Sequence, residues 1–110
     1  MLIRSQNKEV LVNFDVSAGI EIAVGTTKTV ITSYITGCSY LLGEYSTKAK
    51  ALKVLDMIQE AYADEKLIDY TAYLQQKEIE KMDNSTILAL RNELIKKAVF
   101  QMPEDSEAEV

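Results

Sequence analysis

The spacing of apolar residues changes once along this chain, at Ser46-Thr47, and that change limits what it can fold into. Before it, apolar side chains recur at every second position; after it, they recur at helical spacing. A chain in this order is α+β, with a sheet first and helices after it. The pattern predicts an antiparallel β-meander of about four strands over residues 1–45, then two to three amphipathic helices over 46–98. A short extended return over 99–103 closes a single domain spanning 1–103, and residues 104–110 read as an acidic, disordered tail. A length of 110 residues suits one domain with one modest core.

In the first third, residues 8–14 place Val10, Val12 and Phe14 on one face. Ser17-Ala18-Gly19 supplies a turn, and residues 20–24 put Ile20, Ile22 and Val24 on one face with Glu21 on the other. Gly25-Thr26-Thr27 reads as a hairpin turn. Residues 28–35 are dense in β-branched side chains, as a strand prefers. Thr36 to Ser39 break that run, and Tyr40 to Tyr45 form the fourth predicted strand.

Ser46 or Thr47 can cap the helix that follows by accepting a bond from a free backbone N–H. From Lys48 to about Ala63, the residues Ala51, Leu52, Leu55, Ile58 and Tyr62 make a helical stripe. Asp64-Glu65-Lys66 is expected to interrupt or bend it, ahead of a looser stripe of Leu67, Ile68, Thr71, Leu74 and Ile79. Asp83-Asn84-Ser85 reads as the cap of a further helix carrying Ile87, Leu88, Leu90, Leu94, Ile95, Ala98 and Val99. Lys96 and Lys97 in its last turn suit the negative end of the helix dipole. Val99 to Met102 are extended, and Pro103 stops further regular structure. One sheet face needs about one covering helix. The surplus amphipathic surface therefore predicts self-association into a dimer or higher homo-oligomer.

The chain has no His, no Trp and one Cys, which removes His-based nucleophile systems, His-ligated zinc and any internal disulfide. A single thiol and no signal-peptide-like or membrane-spanning run make the expected compartment the cytoplasm. Seventeen acids against twelve bases give a net charge of −5, yet Pro103 to Val110 hold four acids and no base. The body is therefore close to neutral and lacks the basic footprint of a nucleic-acid polymer binder. No cofactor and no metal are expected.

Five features are candidate sites. Asp56 with Glu60, and Glu78 with Glu80, are carboxylate pairs whose ordinary reading is a solvated helix face. Gly25-Thr26-Thr27-Lys28 has a phosphate-loop flavour without the glycine spacing, so Thr27 and Lys28 are weak phosphate candidates beside a plain hairpin turn. Cys38 has no base nearby and reads as a packed or loop residue. Tyr70 and Tyr73 share a helix edge and can stack on a base, though packing is the commoner use. Arg91-Asn92 pairs a fork for phosphate with an amide suited to an adenine edge, against simple solvation. Arg4 is the only other Arg.

Three segments together resemble small proteins encoded by phages and prophages of Firmicutes: Ile3 to Gln6 with Leu11 to Asn13, Leu42 to Thr47 running into Ala51 to Ile58, and Val99 to Pro103. In such proteins the helix leads quickly to the Phe-Gln-Met-Pro-like end; here residues 64–98 intervene. The chain is also similar in general plan to the anti-Thoeris sponge family of phage counter-defence proteins. That resemblance implies a non-enzymatic oligomer that sequesters a cyclic nucleotide immune signal in the host cytoplasm, either a cyclic ADP-ribose isomer or a cyclic oligonucleotide. It implies Arg91 and Asn92 as polar readers and Tyr70 or Tyr73 as the stacking face. The alternative is a protein-protein inhibitor of a host defence factor, of anti-CRISPR type.

Overall fold

The structure, a computed structural model, describes residues 1–74 and 83–109, with side chains for 1–70 and 83–109. Its strands are β1 (Leu2–Arg4), β2 (Leu11–Asn13), β3 (Gly19–Val24), β4 (Thr29–Ile35), β5 (Cys38–Tyr45) and β6 (Val99–Gln101). Its helices are α1 (Lys48–Leu74) and α2 (Asn84–Ala98), with short 3-10 turns at Phe14–Val16 and Asp105–Glu107. The fold is α+β, as expected, but the strands divide between two three-stranded sheets.

Only β3, β4 and β5 form the predicted meander. The strand centred on Val12 leaves it and pairs antiparallel with β1, which in turn pairs parallel with β6. Three-residue strands are too short to show a period, so Leu2–Arg4 carried no strand signal. The Val10, Val12, Phe14 face is correct nonetheless: Val12 is buried, and Val10 and Phe14 pack against the core. On β3, Ile20 and Ile22 face the core, whereas Val24 is exposed.

Thr47 caps α1, its Oγ1 accepting from the N–H of Lys50 at 3.2 Å. The buried stripe of α1 is Ala51, Val54 and Ile58, flanked by half-buried Leu55 and Tyr62. Leu52, predicted on that stripe, is exposed, and Val54 takes the inward position instead. The helix runs without a break through Asp64-Glu65-Lys66, because those three residues are all helix-compatible and none is Gly or Pro. Asp83 caps α2 as expected, accepting from Thr86 N–H at 2.7 Å.

The core lies where the two sheets and α1 meet: Ile3 and Val12 from one sheet, Ile31, Leu42 and Tyr45 from the other, and Met102 from the segment after β6. Each fully buried side chain of this size contributes roughly 1.5–3 kcal/mol. A register shift in the β4–β5 ladder pairs Ile31 with Gly43 and Thr32 with Leu41, leaving Leu42 as the extra residue. The bulge turns the Leu42 side chain inward and frees its carbonyl, which accepts the Gln6 N–H at 2.7 Å. Gly43 is required beside it, since a Cβ there would lie 3.0 Å from the buried Tyr45 ring.

Gln6 and Tyr45 join the sheets. Gln6 Oε1 accepts from Glu44 N–H at 2.9 Å, while Gln6 Nε2 donates to the carbonyls of Glu44 at 3.2 Å and Pro103 at 3.1 Å. Tyr45 Oη donates to the same Pro103 carbonyl at 2.8 Å. Burial, reinforced by the carboxylates of Glu104, Asp105 and Glu107, pushes the Tyr45 phenol far above the usual tyrosine range. It therefore stays a donor at every working pH.

The segment after Pro103, expected as a disordered tail, is built into the body through residue 109. Ala108 is fully buried, and Asp105 accepts from the backbone N–H of Ser46 at 2.7 Å and from Lys50 Nζ at 3.1 Å. Its acids were read as a solvated run, whereas one of them holds the N-terminus of α1.

Tyr45→Phe is expected to lower stability by about 1 kcal/mol, seen as a fall in Tm of ~4–8 °C; an unchanged Tm would show that the Pro103 contact is idle. Asp105 gives a pH test. The Ser46 N–H first, and then Lys50, hold its carboxyl below the ordinary carboxylate range. A depressed folded pKa stabilises above the unfolded value of ~3.9 and loses that effect as pH falls through the folded value. Asp105→Asn should accordingly melt earlier than wild type at pH 7, with the gap closing in acid. A gap of equal size at pH 7 and pH 2 would refute the assignment.

Candidate functional site

Beyond Asp64, the described part of the chain leaves the core. None of the residues described in α2 is buried, and α1 past Tyr62 has only half-buried and exposed side chains up to Tyr70. The two helices form an arm, and the molecule's principal extents are 57, 32 and 22 Å. Between them lies a groove of about 280 Å³. Ile68, Leu94, Ile95 and Ala98 supply apolar lining, Arg91 and Lys97 the cations, and Glu65 and Asp69 the acids.

Of the candidate site residues read from the sequence, Arg91 alone lines this groove among the described residues. It is exposed and has no hydrogen-bond or ion-pair partner among the described residues. Asn92 is exposed one position on, about 100° further round α2, and does not line the groove. Tyr70 follows Asp69 on α1 and is 62% exposed, ready to meet a ring beside the groove rather than inside it. The Tyr73 side chain, and Glu78 with Glu80, lie outside the described residues.

The other candidates sit on the sheet body. Arg4 ends β1, where its Nε donates to the Lys8 carbonyl at 3.1 Å and steadies the β1–β2 turn. Lys28 pairs with Glu44 at 2.9 Å. The turn between β3 and β4 is closed: Gly25 N–H donates to the Lys28 carbonyl, and a Cβ on Gly25 would lie 2.9 Å from that oxygen. Thr27 is exposed at the tip of this turn, so the segment is a hairpin, as the plain-turn reading has it. Asp56 and Glu60 are exposed, and Cys38 is an exposed free thiol at the start of β5.

Two features escaped the sequence. Glu65 and Asp69 share a face with Ile68, but their role as groove lining depends on how α2 packs, which no local pattern encodes. A second, more apolar cavity of about 470 Å³ opens between α1 and the start of β3, with Phe14, Ile20, Leu55 and Tyr62 in its wall. The rings of Phe14 and Tyr62 meet there with centroids 4.8 Å apart, and Lys66 Nζ lies 5.1 Å from the Tyr62 ring. Phe14 and Tyr62 were each visible as inward-facing, but not as neighbours.

Near the root of the arm, Lys66 lies 3.5 Å from Asp15, which also accepts from the Met1 amino group at 2.7 Å. Glu65 Oε2 is 3.2 Å from that amino group, so its charge is already engaged. Asp69 has no such partner among the described residues. No three His, Cys, Asp or Glu side chains gather in metal-binding reach among the described residues. No helix described is long and apolar enough to cross a membrane. Comparison with protein-family models, curated proteins and solved structures returns no match to this chain.

Because Ala61 and Asp64 border the same small cleft as Lys96 and Val99, a short Gly/Ser linker can replace residues 66–95. The shortened chain is expected to keep one cooperative thermal transition, because among the described residues no buried core side chain lies in the removed segment. A broad, non-cooperative melt would show that the arm is part of the core.

Proposed function

We propose that the protein is a non-catalytic binder that withholds a small anionic nucleotide signal, with Arg91 as its phosphate contact. The observation that carries this reading is a guanidinium with no partner among the described residues, set between two helices in a groove lined by apolar and charged side chains. Nucleotides present phosphate, ribose hydroxyls and an aromatic base together. A guanidinium suits the first, the Asp69 carboxylate can accept from the second, and Ile68, Leu94 and Ile95 suit the third. The two acids oppose a bare polyanion and favour a ligand carrying hydroxyls. Tyr70 and Asn92 flank the groove and would complete the contacts at its rim.

The phage-protein resemblance supports the same reading from another side. Its segments supply Ile3, Val12, Leu42, Tyr45, Ala51, Val54, Ile58 and Met102 to the core. Residues 64–98, which depart from that pattern, hold the groove instead. At about 280 Å³ the groove is just under the ~300–1,000 Å³ usual for small-molecule sites, so a whole cyclic nucleotide calls for a second wall from another copy. A second reading, inhibition of a host protein, is favoured by one observation: Leu88 and Ile95 on α2 are 55% and 54% exposed.

The test is thermal shift against cyclic ADP-ribose isomers and cyclic oligonucleotides. Ligand at 100 times its Kd stabilises by about 2.7 kcal/mol, which is easily read. Arg91→Ala should abolish the shift while leaving the unliganded stability within about 0.5 kcal/mol of wild type, as a surface change does. Recovery of intact ligand on heating is expected of a sponge, whereas a hydrolysed product means an enzyme. No shift with any member of the panel removes the nucleotide reading, and a single stoichiometric host protein in a pull-down would put inhibition in its place.

A further inference from the structure

The edges of the two sheets are not equally protected. A strand edge presents unpaired N–H and C=O groups, and proteins blunt it with short strands, bulges, Lys, Pro or a covering segment. Strands β2 and β6 are three residues each. Strand β5 is bulged at Leu42, and Gln6 bonds to Leu42 and Glu44 along it. Strand β3, the remaining edge among the described residues, runs for six residues with neither Lys nor Pro. Its one charged residue, Glu21, accepts from Tyr34 Oη at 2.6 Å.

The register of the hairpin fixes which groups of β3 are free. Gly25 N–H donates to the Lys28 carbonyl at 2.9 Å, so these two residues are a hydrogen-bonded pair. Bonded and non-bonded pairs alternate in an antiparallel ladder. Glu21–Thr32 and Ala23–Val30 are therefore bonded pairs, and the N–H and C=O of Ile20, Ile22 and Val24 turn outward. None of these groups has a hydrogen-bond partner among the described residues. Donors and acceptors recurring at every second residue, about 7 Å apart, match an extended chain. A helix satisfies its own backbone and has no such row to offer.

We infer that β3 is a docking edge for an extended segment of a partner protein, added antiparallel as a fourth strand and carrying an aliphatic, a basic and an aromatic residue in succession. Directly opposite residues share a face and stand ~4.5–5.5 Å apart. The residue opposite Ile20 thus points to the cavity of about 470 Å³ at the start of β3, which no charged side chain lines. The rings of Phe14 and Tyr62 in its wall suit another ring. Gln59, also in the lining, is exposed with no partner for its amide among the described residues, and can accept from an indole N–H. The residue opposite Glu21 falls beside that carboxylate on the other face, where a base is favoured. The residue opposite Ile22 faces α1 and is aliphatic. A second β3 would bring only Ile20, Ile22 or Val24 to the cavity, branched side chains with neither ring nor polar tip. The edge lies apart from the groove between α1 and α2 and does not depend on the nucleotide reading.

Because the chain has no Trp, the indole of a synthetic peptide is the sole indole signal in a mixture of the two. The probe is acetyl-Thr-Val-Thr-Val-Lys-Trp-Thr-amide, whose Trp, Lys and second Val fall opposite Ile20, Glu21 and Ile22. Its emission should move to shorter wavelength, saturably, on titration with the full chain. Methylating the amide nitrogen of the second Val, which faces β3, should weaken binding about tenfold or more, as a lost backbone hydrogen bond implies. Methylating that of the Lys, which faces away, should leave binding unchanged. Val24→Pro removes one outward N–H at an exposed position without touching the β3–β4 ladder, and should weaken the unmodified peptide to a similar degree. Glu21→Lys should come to prefer the peptide with Glu in place of Lys. An unchanged emission overturns the inference, as does a shift that survives methylation of the second Val. A wild-type dimer that Val24→Pro turns into a monomer would give the edge to a second copy and overturn it as well.

Discussion

The carbonyl oxygen of Pro103 is the point on which the folded body depends. It accepts from Tyr45 Oη, at the end of the three-stranded meander, and from Gln6 Nε2, just past the first strand of the other sheet. A proline donates nothing through its own nitrogen, so its carbonyl is the only backbone handle it offers. Both lone pairs are used, one by each sheet. The consequences run outward from there. Gln101 Nε2 donates to the Ser5 carbonyl at 2.9 Å and Met102 N–H to the Arg4 carbonyl at 3.0 Å, which aligns β6 beside β1. With that strand in place, Met102 seals the core and Ala108 follows it inward. The last residues are thus a structural clasp, and the acidity that looked like a property of a loose end partly serves to position Asp105 against Ser46 and Lys50.

A body closed in this way separates its stability from the arm. The contacts that close it come from residues before Asp64 and after Ala98, and the helices between them add no buried core side chain among those described. Substitutions on the arm can therefore alter its groove and its exposed stripe at little cost to folding, because changes distant from the core and sharing no partner with it act nearly independently. The coupling that remains passes through the root, where Lys66, Asp15 and the Met1 amino group cluster. Pairs as exposed as Lys66 with Asp15 contribute little.

How much of this was legible in the sequence follows from the range of the interactions involved. Local signals were read correctly: the Thr47 and Asp83 caps, the β-branched run that became β4, and the switch from sheet to helix. Each depends on residues within a few positions of one another. What could not be read depends on partners far along the chain. Leu2–Arg4 becomes a strand only because β2 and β6 flank it, and a run of three residues has no period to detect. The packing of residues 104–109 depends on Ser46 and Lys50, more than fifty positions away. Tail-like composition was a poor guide because one well-placed carboxylate decides the matter. On the arm, Arg91 was singled out from chemistry alone, as one of two Arg in the chain. Its groove was not, because that needs the packing of α2 on α1.

The position of Arg91 within α2 carries the remaining argument. It falls between Ile87 and Leu94 on the stripe turned towards α1 and lines the groove with Ile68. The guanidinium there is exposed. Neighbouring Asp69 does not close on it, since no ion pair joins them among the described residues. Arg91 is exposed and lies outside the core, so folding gives little reason for a cation at that point. A ligand does give one: an anion brought to the groove meets a cation that no carboxylate among the described residues pairs with, beside the apolar side chains of Ile68, Leu94 and Ile95. Arg91, with Lys97 beside it in the groove, is thus the cation on which the proposed phosphate contact rests.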